Sequence, residues 1–322
     1  MTVHTSRGGR TVRARIFFVL RLSPILAALW CLLPPHVSAS TVEITILKSS
    51  GLKAYDDAVQ GFKATTSGTP IYTEYDLQGD AERGKQLAGK IRASDSSLIV
   101  AVGLKAALIA KQEITDIPIL YMMILDPVKH HLTAANMTGV LLEIPADRQF
   151  KIMRTFLPTL RRIATLYDRE KSAPKVKDAE ARAAAHEFQL RGFPVDHEKD
   201  VPQQLRGLLS ESDALWLIPD STVLTDESTR FILEAALAKR VPVVGFSAEL
   251  TRLGALLSLS IDYGEVGREA GLLARRILNG EPPLRLKPVS MQRVRITVNQ
   301  KTARYLSITF PKELDSLIDD TY

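Results

Sequence analysis

Ser247 is the first place to look for covalent chemistry, because Gly245-Phe246-Ser247-Ala248-Glu249 begins like the strained turn that presents a nucleophilic serine at a strand end. That turn needs a glycine two residues after the serine, and Glu249 stands there, so Ser247 is not read as a nucleophile. His130 and His131 are adjacent, which points their rings apart and prevents them from sharing one metal. His186 falls in a helix-like stretch and His197 at a charged strand end, both positions of solvated histidines. No Gly-x-Gly-x-x-Gly follows a strand, and no phosphate-binding loop with its lysine is present. Catalysis, a metal site and a bound cofactor are therefore not expected.

What recurs instead is polarity at the ends of apolar strands. Lys48-Ser49-Ser50, Gln78-Gly79-Asp80, Gly103 and Asp126 end the first four strand-like runs, and Asp220-Ser221-Thr222 and Ser247 hold the matching places further on. In open parallel sheets such ends line the crevice that receives ligand. The sharpest example is LIVAVGLKAALIAKQ, Leu98 to Gln112, where an apolar run stops at Gly103 and helical spacing starts at once. The first turn of that helix has unpaired N–H groups and the positive end of the dipole, so it can receive an anion. The plainer reading, that Gly103 only makes a tight turn, stays open. Lys105 opposes the helix dipole unless an anion lies close, and it either meets ligand or projects into solvent.

These turns need a scaffold, and the periodicity supplies one. Strands are predicted at Val42–Lys48, Ile71–Leu77, Leu98–Val102 and Ile117–Ile124, with helices at Lys53–Ala64 and Asp80–Ala93 between them. The continuous apolar runs of the third and fourth strands are typical of strands buried on both faces of a parallel sheet. After Gly139 the pattern restarts: a helix at Gln149–Phe156, a strand at Ile163–Tyr167, a long helix from Pro174 to Leu190, strands at Ala214–Ile218 and Val241–Phe246, and a helix at Asp226–Lys239 between those two. A strand at Leu256–Ile261, a helix at Glu265–Leu278 and a strand at Arg293–Val298 are too few for a third domain and are expected to complete the first two. Thr65–Thr69 and Arg169–Ala173 read as surface turns. The fold class is thus α/β, two doubly wound parallel-sheet lobes.

The first residues are set apart by composition. Arg7, Arg10, Arg13, Arg15 and Arg21 precede the apolar segment Ile25–Leu33, which Pro34, Pro35 and the small stretch Val37-Ser38-Ala39 follow. This is the layout of a secretory signal peptide over residues 1–39, cut after Ala39. Arg21 and Pro24 break the apolar run well short of the roughly 20 residues a membrane span needs. Removing five of the 42 basic residues leaves 37 against 36 acidic ones, so a nucleic-acid partner loses its electrostatic support. The one cysteine, Cys31, also lies in the leader, and its neighbours Leu29 and Trp30 are poor ones for lipid attachment. The mature chain has no thiol for a disulfide, a metal or a nucleophile.

In order and spacing, AYDDAVQGF, DLQGDAERGKQLAGKI, LIVAVGLKAAL, IPILYMMILDPV, NMTGVLLEI, IPDSTV, VPVVGFSAEL, GALLSLSIDYGEVGREAGLLARRIL and VNQKTARYLSI resemble the ABC-transporter substrate-binding proteins of the type I periplasmic-binding fold, in the group with amino-acid-like ligands. The pieces run from about residue 44 to 310. The resemblance implies two lobes joined by a three-crossover hinge, with crossings near Gly139–Leu142, Ile261–Asp262 and Pro288–Met291. It divides the mature chain into residues 40–141 with 262–288 and residues 142–261 with 289–322. It implies a periplasmic, monomeric receptor for a small carboxylate-bearing molecule, delivering it to an ABC permease. The alternative is a sensory protein that presents its ligand to a membrane receptor or kinase.

By the same resemblance Gly103 and Ala106 form the strand-to-helix turn that meets ligand, Asp126 is the strand-end aspartate, Ser221 and Thr222 form the polar turn of the second lobe, and Asp262 is the hinge aspartate. Ser49, Ser50, Gly79, Lys105 and Ser247 complete the set from the strand ends. Tyr55, Tyr121 and Phe246 could build a stacking wall, and Trp216 belongs to the core. The family turn reads Gly-Thr-Pro-Ala, whereas this chain has Gly103-Leu104-Lys105-Ala106. It also has Ser49-Ser50-Gly51 where relatives carry bulkier residues, and Leu141 where a small hydroxyl residue is common.

Overall fold

A computed structural model of the protein describes residues 42–66 and 68–322. The leader with its cut after Ala39, Cys31, and Ser67 of the turn Thr65–Thr69 lie outside the described residues. No described helix is long and apolar enough to cross a membrane.

The apolar runs pair into two sheets. The first is built from β1 (Glu43–Lys48), β2 (Ile71–Asp76), β3 (Leu98–Val102), β4 (Ile119–Ile124), β5 (Met137–Leu141) and a late two-residue strand, β11 (Val289–Ser290). Its order is β11-β5-β4-β3-β1-β2, with every pairing parallel. Alternation along β3 sends Leu98, Val100 and Val102 to one face and Ile99 and Ala101 to the other, and both faces are covered. Helices α2 (Ala81–Arg92) and α3 (Leu104–Glu113) cover one face, while α1 (Lys53–Thr65) and the later α9 (Tyr263–Leu278) cover the other. Helices α1 and α9 touch backbone to backbone: a Cβ at Gly267 would overlap the Ala58 carbonyl.

The second sheet contains β6 (Arg162–Asp168), β7 (Gln189–Val195), β8 (Ala214–Trp216), β9 (Val243–Gly245), β10 (Leu257–Ser260), β12 (Arg295–Val298) and β13 (Asp320–Thr321), in the order β13-β12-β10-β9-β8-β6-β7. Around it lie α4 (Ala146–Phe156), α5 (Ala173–Ala183), α6 (Val201–Glu211), α7 (Asp226–Ala238), α8 (Ala248–Leu253) and α10 (Gln300–Leu306). Trp216 is buried, and its Nε1 donates to Gln149 Oε1 at 3.0 Å.

The chain passes between lobes three times: from β5 to α4, from β10 to α9, and from β11 to β12. Three differences from the sequence reading follow from this wiring. Val289 and Ser290 pair with Val140 and Leu141 of the first lobe, so the third crossing comes after Ser290 and not after residue 288. Strand β12 is antiparallel to β10, because it enters the second sheet from the hinge and must run back against its neighbour. The helix expected from Pro174 to Leu190 stops at Ala183, and Gln189 starts the edge strand β7. The sequence of β7, QLRGFPV, hides it: it is polar, carries Gly192, and has a proline that only an edge strand tolerates.

Candidate functional site

Without the hinge strands, both sheets have one wiring: β2-β1-β3-β4-β5 in the first and β7-β6-β8-β9-β10 in the second. Each therefore has one switch point, between β1 and β3 and between β6 and β8. There the connections leave in opposite directions and open a crevice at the carboxyl edge. Leu141 and Ser260, at the carboxyl ends of β5 and β10, lead straight into crossings. The carboxyl edges of both sheets thus turn toward the hinge.

At the first switch point Ser49 is buried at the end of β1, and its Oγ accepts the Ala106 N–H at 2.9 Å. This caps α3 from a strand 57 residues away in sequence. Gly103 holds φ +87°, and a Cβ there would overlap the Tyr55 hydroxyl and lie 2.8 Å from Ser49 Oγ. The glycine thus serves both the turn and the close approach of Tyr55, whose hydroxyl pKa is pushed up by burial. Gly79 donates its N–H to the Ser49 carbonyl at 2.8 Å and accepts from Lys105 Nζ at 2.8 Å. Lys105 is exposed and not paired with an acid among the described residues; its ammonium bonds to the Gly79 carbonyl of the β2–α2 turn. Ser50 is half-buried beside this group. Ser49, Tyr55, Gly79, Gly103, Lys105 and Ala106 are brought together.

The second switch point is built on two buried carboxylates. Asp220 Oδ2 accepts the Asp168 N–H at 2.8 Å and the Ser172 hydroxyl at 2.6 Å, while Oδ1 accepts the N–H groups of Thr222 and Val223 at 3.0 and 3.2 Å. Asp168 Oδ1 accepts from the Glu170 and Lys171 amides, and Oδ2 from the Thr222 hydroxyl at 2.5 Å. The Thr222 hydroxyl and these amides hold the Asp168 carboxyl below the usual aspartate range, against the opposing effect of burial. Over this pair Lys171 Nζ donates to Ser221 Oγ at 3.0 Å and Thr222 Oγ1 at 2.7 Å. Ser221 and Thr222 join this group, but Asp168, Lys171 and Ser172 are absent from the sequence-derived set. Arg169–Ala173 is no mere surface turn, since Ser172 is buried within it. The available signal was the aspartate ending β6, a match to Asp220 after β8.

The remaining candidates make no hydrogen bond to either cluster. Asp126 is exposed at φ +48°, beyond an irregularity in β4 at Met123, and its Oδ1 accepts the Lys129 N–H of its own turn. Ser247 caps α8, its Oγ accepting from the Leu250 N–H. Asp262 caps α9 through the Gly264 and Glu265 amides, and its other oxygen lies 3.3 Å from Arg295 Nη1, an ion pair joining the second and third crossings. Both line a cavity of about 540 Å³ beside α1. Tyr121 is 2 % exposed within the α2–α3 core, where burial pushes its hydroxyl pKa up to about 12, so it builds no wall in the crevice. Phe246 is half-buried at the end of β9.

A family model described as ABC transporter substrate binding protein matches residues 42–321. A tyrosine-binding protein of Clostridioides difficile is 22% identical over 270 residues, covering 81% of this chain and 76% of that protein. Among solved structures, a ligand-free, open substrate-binding protein with adhesive properties from Clostridium difficile superposes with a TM-score of 0.72 at 23% identity, covering 87% of this chain and 99% of that one. A streptococcal ABC domain in complex with L-Trp superposes with a TM-score of 0.56 at 20% identity, covering 88% and 100%.

Proposed function

The chain belongs to the ABC transporter substrate-binding protein family, and from that premise we propose that it is an exported receptor that holds a small organic, carboxylate-bearing, amino-acid-like molecule between its lobes and delivers it to a membrane permease. The observation that carries this reading is the pair of polar clusters at equivalent switch points, on the edges that turn toward one hinge. Closure about three crossings would remove a ligand from water and complete its hydrogen bonds from both sides. The tyrosine-binding relative and the L-Trp complex support an amino-acid-like ligand. The leader supports an exported, periplasmic mature chain beginning at Ser40; we take it to work as a monomer.

Native mass spectrometry of protein purified from its own host is expected to show a bound small molecule of metabolite size. Small-angle scattering is expected to show a more compact particle with that molecule than after its removal by partial unfolding and dialysis. A bare chain whose scattering does not respond to any small molecule would overturn the receptor reading.

A further inference from the structure

Around the third crossing, helices from different lobes enclose a cavity of about 590 Å³. Arg148, Lys151, Ile152 and Thr155 recur at helical spacing on α4 of the second lobe and form one wall, and Arg268 of α9 lines it from the first lobe. The segment between β11 and β12 and the C-terminal residues close it, and its apolar lining is Phe156, Val294, Ile296 and Leu317. Phe156, Val294 and Ile296 are otherwise buried, whereas Leu317 is 48 % exposed. None of these residues belongs to either switch-point cluster. The volume falls in the range of small-molecule pockets, roughly 300–1,000 Å³, and the concave shape suits a small molecule better than a flat protein face.

Charge decides which kind of molecule. Arg268 lies 2.6 Å from Glu265 and 4.0 Å from Glu269, and Arg293 lies 3.4 Å from Glu265 and 3.5 Å from Asp319, so these two arginines are matched by acids. Arg148 and Lys151 are exposed and make no ion pair among the described residues. The acid of their own helix, Asp147, is taken by Arg182 and His186. Three apart on one helix, the two like charges repel unless an anion lies between them. A neutral apolar molecule would leave these cations unmet, and a simple ion would leave the apolar lining uncovered. An anionic head on an apolar body answers both.

We propose that this cavity is a second binding site, for a small amphiphilic anion of the medium-chain carboxylate class, with its head at Arg148 and Lys151 and its chain over Phe156, Val294 and Ile296. Arg268 is carried by the first lobe and α4 by the second, so an occupant spans the hinge and restricts its bending. The site does not rest on the receptor reading, since the crevice between the switch points contributes nothing to it.

Isothermal titration of the mature chain with octanoate, 1-octanol and acetate tests it. Octanoate is expected to bind about tenfold or more tightly than either of the others, because it alone has both head and chain. The double variant R148E/K151E is expected to weaken octanoate by about tenfold or more, the usual effect of losing a charge-assisted bond. R148K/K151R, which keeps both charges, should retain most of the affinity, with circular dichroism melts confirming that both variants fold. The mature chain has no thiol, so dyes on K90C and K177C, at exposed positions of α2 and α5, report the distance between lobes. Octanoate should narrow the single-molecule energy-transfer distribution of that pair, and should not do so in R148E/K151E. Equal binding of 1-octanol, unchanged octanoate affinity in R148E/K151E, an unaltered energy-transfer distribution or no binding of octanoate would each overturn the proposal. The receptor reading would survive any of these, because native mass spectrometry tests it on the crevice ligand.

Discussion

The two switch points share a topology and solve the same problem with different materials. Turns at strand ends leave backbone N–H groups that must be paired. In the first lobe the answer is a hydroxyl and a glycine: Ser49 caps α3 across the sheet, and Gly103 lets Tyr55 close over the turn. In the second lobe it is charge: Asp220 gathers three amides and a hydroxyl from two turns, and Asp168 sits beside it. The first arrangement takes one amide of the α3 turn and places Lys105 on a neutral carbonyl, whereas in the second two carboxylates take five amides of two turns, with Lys171 bonded to the Ser221 and Thr222 hydroxyls above them. Equal wiring therefore gives one edge held by a hydroxyl and a glycine and one held by carboxylates.

The largest way to break this contrast is Asp220→Ala. It strands three amides and the Ser172 hydroxyl in a buried site, and a loss of about 3 kcal/mol or more is expected. In a chain of this size that lowers the melting temperature by roughly 5 °C. Calorimetry checks this, and a loss under about 1 kcal/mol would show that the carboxylate does not hold the second cluster together.

Gly103→Val attacks the first cluster through its backbone. A β-branched residue at φ +87° must also displace Tyr55 and Ser49, so about 2–3 kcal/mol is expected to go, together with ligand affinity. Urea unfolding alongside a binding titration separates the two effects. Stability lost with affinity intact would remove this turn from the site.

The smallest effect concerns acid. The folded pKa of Asp168 is lowered, chiefly by the Thr222 hydroxyl, so its contribution is fully present above the ordinary aspartate value of about 4. It fades as pH falls below that toward the folded value. The first cluster joins Ser49, Gly103 and Ala106 without a carboxylate, and has no matching loss. Hydrogen exchange corrected for intrinsic rates should show the Glu170 and Lys171 amides loosening below about pH 4 while Ala106 stays protected. Asp168→Asn should abolish that difference, and equal loosening in both lobes would refute it.

Much of the fold was legible because strands buried on both faces have no choice about composition. Leu98–Val102 and Ile119–Ile124 are apolar throughout, and their bounds could be read to within two residues. Strand β7 was not legible, because one sheet edge tolerates polar residues and a proline. Helix α6 lay in a stretch read as having no element, although Leu205, Leu208 and Leu209 are buried on it. Of the two polar clusters, Ser49, Gly79, Gly103, Ser221 and Thr222 could be named from their places after apolar strands; Asp168 and Ser172 were passed over because a polar turn looks the same whether or not its groups are buried.

By itself the sequence determined the two α/β lobes, the polar carboxyl edges and the break at Gly103 with a lysine in the helix turn after it, since period, glycine and charge are local properties. Only the tertiary structure decided that Lys105 bonds to Gly79, that Ser49 caps a helix 57 residues away, and that Asp168 and Asp220 share one cluster. Those pairings join turns that the chain order separates by 26 to 57 positions. They exist because parallel strands bring carboxyl ends side by side, and nothing local in the chain records which ends become neighbours.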